Sequence, residues 1–333
     1  MTNHFVLYSL ISFVILIIIS KISYRFNLLD LPNKRKKHLK PTAFSGGLAL
    51  SFIYILSFFF FDVFGQKLNL ILPMAFLMSI VGFIDDKYHL NIGGKLSLQV
   101  LTIIYLIVIE DISLINLGDY VYFSLELNSF AIPFTLLSVI LLINSFNYFD
   151  GLDGTLTCTT ISVLGILYFL VNDQNTKLFL IILLPPLLIF LFFNFSMFKL
   201  PKLFLGDSGS LLLGFIIAFI LIFIARYNQI HPILLAWSIT IFVYEFLSIN
   251  IIRFKRKKNI FKPGTDHLHH ILFEKNKSIF LTNFLISILN IIFFILGYLS
   301  FIFMSPLASL VLFIVLFIIF FIIRLKLIFK NLY

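Results

Sequence analysis

The chain has 333 residues, 60% of them hydrophobic and only 12% charged, with 44 phenylalanines among them. A water-soluble domain cannot hide that much apolar surface, so the composition excludes a soluble globular protein and points to a polytopic membrane protein. A net charge of +10 would suit a nucleic-acid binder, but the basic residues lie between apolar runs, where they set topology; no nucleic-acid partner is expected.

A helix needs roughly 20 mostly apolar residues to cross a hydrocarbon core about 30 Å thick. Such runs predict eleven transmembrane helices, at 4–22, 46–64, 68–84, 95–110, 131–148, 155–171, 177–197, 208–226, 232–251, 279–299 and 302–323. The count becomes ten if the short fourth run does not cross. The fold class is therefore all-α, with residues 1–333 forming one transmembrane domain and no internal repeat. The first run has no basic segment before it and no small-residue cleavage site after it, so it reads as a retained helix rather than a signal peptide. The longest connection between runs on the non-basic side, Glu110 to Asn128, contains VYFSLEL, whose alternation predicts a small hairpin. The single cysteine, Cys158, excludes an internal disulfide and reads as a small apolar helix residue.

All 25 Lys and Arg residues except Lys67, Lys177 and Arg226 fall on one side of this topology. The positive-inside rule makes that side cytoplasmic, with the N-terminus outside and the C-terminus inside.

Five polar clusters share the cytoplasmic side, at 33–47, 83–99, 144–154, 199–210 and 253–277. NKRKKHLKPTAFSGG contains His38 and Lys40; a positive flank is enough to account for it. In FIDDKYHLNIGGKLSLQ, Asp85 and Asp86 end one helix while Lys95 and Gln99 stand one turn apart on the next. Adjacent carboxylates raise each other's pKa and need a compensating cation near a membrane, or else a solvated helix end. In NSFNYFDGLDG, Asn144, Asn147, Asp150 and Asp153 recur every third residue, so a continued helix would line them on one stripe facing a polar cavity. The other reading is a helix cap with a Gly-rich turn.

In KLPKLFLGDSGS, Gly206 and Gly209 bracket Asp207 before a helix, leaving backbone N–H groups open to an anion and a carboxylate for a metal, unless Asp207 is a plain N-cap. FKPGTDHLHHILFEK places His267, His269 and His270 in a basic loop. The spacing is not that of a helical zinc pair and no cysteine is near, so the imidazoles read as hydrogen-bond donors to phosphate. Hard carboxylate and amide oxygens suit Mg²⁺, and lysines, histidines and a helix N-terminus suit phosphates. The residues alone point to Mg²⁺-dependent chemistry on a phosphate compound at the cytoplasmic face.

From about Asp30 to His270 the order of these clusters resembles the polyprenyl-phosphate N-acetylhexosamine-1-phosphate transferases, the MraY/WecA family or glycosyltransferase family 4. The resemblance rests on D-D with a downstream K-L-x-x-Q, N-x-x-N-x-x-D-G-x-D-G, F-x-G-D-x-G-S and H-x-H-H. It implies a phosphoglycosyltransferase moving the sugar 1-phosphate of a UDP-N-acetylhexosamine, UDP-GlcNAc foremost, onto undecaprenyl phosphate with release of UMP. That reaction initiates a cell-envelope polysaccharide of the O-antigen or teichoic-acid kind, in the bacterial cytoplasmic membrane. It further implies Mg²⁺, or Mn²⁺ in its place, held by Asp207 with Asn147 as second ligand. Phe204 would stack on uracil and Asp153 would lie near the nucleoside. Lys95, His267, His269 and His270 would hold the diphosphate and sugar, with Asn144, Lys40 and His38 assisting. Asp85 and Asp86 are the family's acid/base pair, Asp85 positioning the acceptor or taking its last proton; Asp150 belongs to the same cluster without a defined role. The oligomeric state stays open, a homodimer included.

Two departures bear on the donor. The third motif continues DGTLT where the family reads DGLA, leaving the sugar-side contacts of Thr155–Thr157 open. VYEFLS, with Glu245, resembles the muramoyl-pentapeptide branch, whereas DHLHH resembles the branch using simple UDP-sugars and is given the greater weight. Glu245 would otherwise be an intramembrane acid paired with a neighbour such as Ser248. The competing functions are the muramoyl-pentapeptide transferase and, from another class, a transporter of a phosphorylated solute, which would place polar residues deep within its helices.

Overall fold

The computed structural model describes residues 2–32, 40–61, 65–257, 264 and 266–330. They form thirteen α-helices, several short turns of other helix and two small two-stranded sheets. The helices are α1 (Thr2–Arg25), α2 (Gly46–Leu56), α3 (Gln66–Tyr88), α4 (Ile92–Ile104), α5 (Ala131–Phe149), α6 (Thr155–Leu170), α7 (Gln174–Asn194), α8 (Gly206–Tyr227), α9 (Pro232–Ser238), α10 (Thr240–Lys255), α11 (Leu268–Asn276), α12 (Ile279–Phe303) and α13 (Pro306–Lys330).

Each expected span coincides with a helix. Among the described residues eight helices are long and apolar enough to cross a membrane, or nine when α9 and α10 are taken as one bent span. The two remaining expected spans are the shorter apolar helices at Gly46–Phe59 and Thr155–Leu170. The chain is an all-α, multi-pass membrane protein. The predicted hairpin is present as β3 (Asn116–Asp119) paired antiparallel with β4 (Ser124–Glu126); β1 (Leu29–Asp30) and β2 (Thr42–Ala43) form the other pair.

The chain divides into two compact units, Met1–Ile112 with Asp173–Ile220, and Ser113–Asn172 with Leu221–Tyr333. In the first, α1, α2, α3, α4 and α7 pack together with the start of α8. Contact there is backbone to backbone: a Cβ on Gly47 would collide with Gly209, and one on Gly82 with the Asp207 carbonyl and the Ser208 amide. Small residues are what let membrane helices approach this closely.

In the second unit α12 packs on α6, α9, α10, α11 and α13. α9 and α10 meet at a 75° bend, which frees backbone groups that lipid cannot satisfy. Asn290 of α12, fully buried, replaces the lost bonds: its Oδ1 accepts from the Ile241 amide at 3.3 Å and its Nδ2 donates to the Ser238 carbonyl at 2.9 Å.

Candidate active site

In the first unit four of the expected residues converge. The end of α3 carries Asp85 and Asp86, the first turn of α4 carries Lys95, and the start of α8 carries Asp207. Asn91 caps α4 by accepting from the Gly94 amide at 2.7 Å, which fixes the helical turn bearing Lys95. The Lys95 ammonium lies between two carboxylates, bonding Asp85 Oδ2 at 2.7 Å and also Asp207 Oδ2. Asp85 Oδ1 accepts from the Leu90 amide at 2.9 Å, so the carboxylate is aimed by its own helix terminus. The cation that adjacent acids call for near a membrane is Lys95.

Asp86 turns towards the start of α8. Its two oxygens accept from the Asp207 and Ser208 amides at 3.1 and 3.2 Å, so it caps α8 from outside. The expectation that the first N–H groups of α8 stand open to a substrate anion is corrected accordingly. A carboxylate of the chain takes that place because the positive end of a helix favours any nearby anion. Gly206, at φ +70°, makes the approach possible, since a Cβ there would press on Asp86 Oδ2 and the Phe44 carbonyl.

Phe204 is half-buried and held by its backbone, its amide donating to the Ala43 carbonyl at 2.8 Å while its carbonyl accepts from Gly46 at 2.9 Å. The Ser-Gly-Gly end of the first polar cluster is thus what docks against this loop. The Lys202 ammonium stands 5.3 Å from the Phe204 ring centre. Lys40 is exposed just before β2, and His38 lies outside the described residues.

Among the described residues no group of three or more His, Cys, Asp or Glu converges as a closed metal cage. Mg²⁺ does not ask for one: it takes one or two carboxylates and completes its octahedron with water and substrate phosphates. Two carboxylates converging on a single cation, as Asp85 and Asp207 do on Lys95, fit that requirement.

In the second unit α5 carries Asn144 and Asn147 on one face, both half-buried. The expected stripe does not continue beyond them. Helix geometry stops at Phe149, Asp150 is the C-cap at ψ 52°, and Asp153 sits in the turn before Gly154, which has φ +74°. Asn144 donates its amide to the Ile140 carbonyl of its own helix at 2.8 Å, anchoring the side chain to α5. Thr155 Oγ1 meets Asn283 Oδ1 of α12 at 2.6 Å, and Asn283 Nδ2 donates to the Asp153 carbonyl at 2.8 Å. Thr155, Leu156 and Thr157 are buried. The departure from the family pattern is therefore a tether to α12, not a set of exposed sugar contacts.

The same turn meets the histidine loop. A Cβ on Gly151 would collide with His269 Nε2 and stand 3.0 Å from His270 Nε2. His267 and His269 are stacked with ring centres 5.6 Å apart, and Tyr148 of α5 packs edge-on against His267 at 5.0 Å. Burial, reinforced by the Arg253 guanidinium, pushes His267 down to about 3. Its imidazole is a neutral hydrogen-bonding group over the physiological range, not a cation.

Glu245 is fully buried, and its partner is Arg324 of α13 rather than Ser248, which has no hydrogen-bond partner among the described residues. By sequence Arg324 falls just past the last apolar run, among the basic flanks. A lone Arg in FIIRLK and a lone Glu in VYEFLS were the available signal, because an intramembrane charge requires a partner. Gly151, Asn283, Arg253 and Asp266 were also missed.

The family model described as glycosyl transferase family 4 matches residues 68–225. An undecaprenyl-phosphate alpha-N-acetylglucosaminyl 1-phosphate transferase of Yersinia pestis is 26% identical over 82% of this chain and 76% of its own length. The protein of that name from Escherichia coli K12 is 26% identical over 76% and 71%. A probable undecaprenyl-phosphate N-acetylglucosaminyl 1-phosphate transferase of Bacillus subtilis is 28% identical over 77% and 72%. The family match running from α3 to α8, together with relatives aligned over most of both lengths, makes this chain similar to glycosyl transferase family 4, the MraY/WecA family of membrane transferases.

Proposed function

We propose that the protein transfers N-acetylglucosamine 1-phosphate from UDP-GlcNAc to undecaprenyl phosphate at the cytoplasmic face of the bacterial inner membrane. An oxygen of the lipid phosphate attacks the sugar-bearing phosphorus, the bond to UMP breaks, and UMP leaves with the bridging oxygen. The observation that carries the reading is the Asp85–Lys95–Asp207 cluster, in which residues of two family motifs and three helices share one cation. The names of the relatives favour the simple UDP-sugar branch, as does the His-x-His-His loop.

A phosphate monoester has its second pKa near 6, so the acceptor is already mostly a dianion at pH 7 and general-base help contributes little. Asp85 acts by orienting the acceptor phosphate or receiving its last proton. Lys95 offsets the phosphate charge that its two carboxylates would otherwise repel. Asp86 holds the α8 terminus and with it Asp207. Phe204 gives the uracil a face to stack on. His267, His269 and His270 donate to the sugar diphosphate, His267 as a neutral imidazole. When bound, Mg²⁺ would neutralise the diphosphate and the developing charge on UMP; Asp207 is the residue of this cluster that would hold it.

The test is purified protein with radiolabelled UDP-GlcNAc, undecaprenyl phosphate and Mg²⁺, followed for lipid-extractable label and released UMP. Both products are expected, in equal amounts. Asp207→Ala should lower turnover by about 10³-fold or more while inserting normally. Absence of both products with every UDP-N-acetylhexosamine tried would reject the function, and an active Asp207→Ala would reject its metal role.

A further inference from the structure

The histidine loop is held by charged side chains outside the H-x-H-H pattern itself. Asp266 is gripped twice: Arg253 of α10 forks onto its carboxylate, with Nε to Oδ2 at 3.1 Å and Nη2 to Oδ1 at 2.5 Å, and Arg324 Nη2 donates to its carbonyl at 2.7 Å. Two residues on, the Leu268 amide at the start of α11 donates to Glu245 Oε1 at 2.9 Å. Arg324 closes the circuit by clasping that same carboxylate, Nε to Oε2 at 2.7 Å and Nη2 to Oε1 at 2.8 Å. Glu245 and Arg324 are both completely buried.

A buried ion pair is a poor way to gain stability, since apolar residues of the same shape do as well or better. What apolar residues cannot do is accept the Leu268 N–H or donate to the Asp266 carbonyl. Both of those are backbone groups of the loop, and they flank His267. We infer that Arg324 is a positioning residue for the histidine cluster: through Glu245 and the Asp266 carbonyl it sets where His267, His269 and His270 stand relative to the donor. The inference rests on the function proposed above insofar as the cluster holds the sugar diphosphate.

The exchange variant Glu245→Arg/Arg324→Glu separates positioning from simple pairing. It keeps two opposite charges buried together but loses both loop bonds, because arginine cannot accept and glutamate cannot donate. Purified in detergent, it is expected to keep a wild-type melting temperature within a few degrees while kcat/KM for UDP-GlcNAc falls about 10²-fold, the order expected for a small misplacement of catalytic groups. KM for undecaprenyl phosphate should not change. Arg324→Lys, which keeps the charge and loses the fork, should fall between the two, and hydrogen–deuterium exchange should quicken in residues 266–270. Wild-type donor kinetics in the exchange variant would overturn the inference; where that variant does not fold, unaltered exchange at 266–270 in Arg324→Lys would overturn it. Wild-type protein that makes no labelled lipid, with 266–270 loosened in Arg324→Lys, would instead reject the function and leave the positioning intact.

Discussion

At position 151 the useful property is the missing side chain. Gly151→Ala drives a methyl group into His269 Nε2, and because its backbone conformation suits alanine, the cost falls on the loop rather than on the turn. Transfer measured by UMP release should drop at least about tenfold, on the same reasoning about misplaced groups, with little change in melting temperature. Gly165→Ala is the control: a Cβ there meets nothing within 4 Å, and in mid-α6 it should stabilise by about 0.5–1 kcal/mol without affecting turnover. His267 gives a second handle. Burial first and Arg253 second depress it from 6.5 to about 3, so the unfolded chain binds a proton that the folded one refuses. The stability due to this neutral imidazole is complete above pH 6.5 and drains away as pH falls from there towards 3. Melting temperatures between pH 7.5 and 5 should decline more steeply in the wild type than in His267→Asn. Asp85, Lys95 and Asp207 were legible in the sequence because their chemistry resides in the residue type. Gly151 was not, because its meaning depends on what lies opposite in space.

Among elements, hydropathy located every long helix, since lipid imposes a length and an apolar composition that can be counted. It did not find α11, which lies in a polar loop, or the break between α9 and α10, where no glycine or proline marks the bend. The groups that make the break tolerable belong to Asn290 on another helix. The polar stripe of α5 was correct for Asn144 and Asn147 and ended at Asp150, where the turn is instead tied by Asn283 and Thr155. Thr155→Val keeps the shape and removes the hydroxyl that bonds Asn283. It should destabilise by about 1–3 kcal/mol, the cost of a buried polar atom left unpaired, whereas Thr155→Ser should retain most of the wild-type melting temperature.

For the molecule as a whole, charge distribution made a topology readable while leaving the spatial grouping of the clusters unstated. Lys95, Asp85 and Asp207 meet in one unit; the Asn-Asp turn and the histidine loop meet in the other. If the basic connections face the cytoplasm as proposed, then in a Cys158→Ser background a cysteine replacing Lys275 should react with an impermeant maleimide only after the membrane is opened. One replacing Lys177 should react in intact cells stripped of their outer layers; the reverse pattern would invert the orientation. The Glu245–Arg324 clasp also dictates a timetable. Its partners are 79 residues apart, so the ribosome delivers the acid long before the base that neutralises it. A lone charge in a helix entering hydrocarbon costs about 3 kcal/mol. During synthesis α10 therefore carries that cost until α13 emerges to neutralise it.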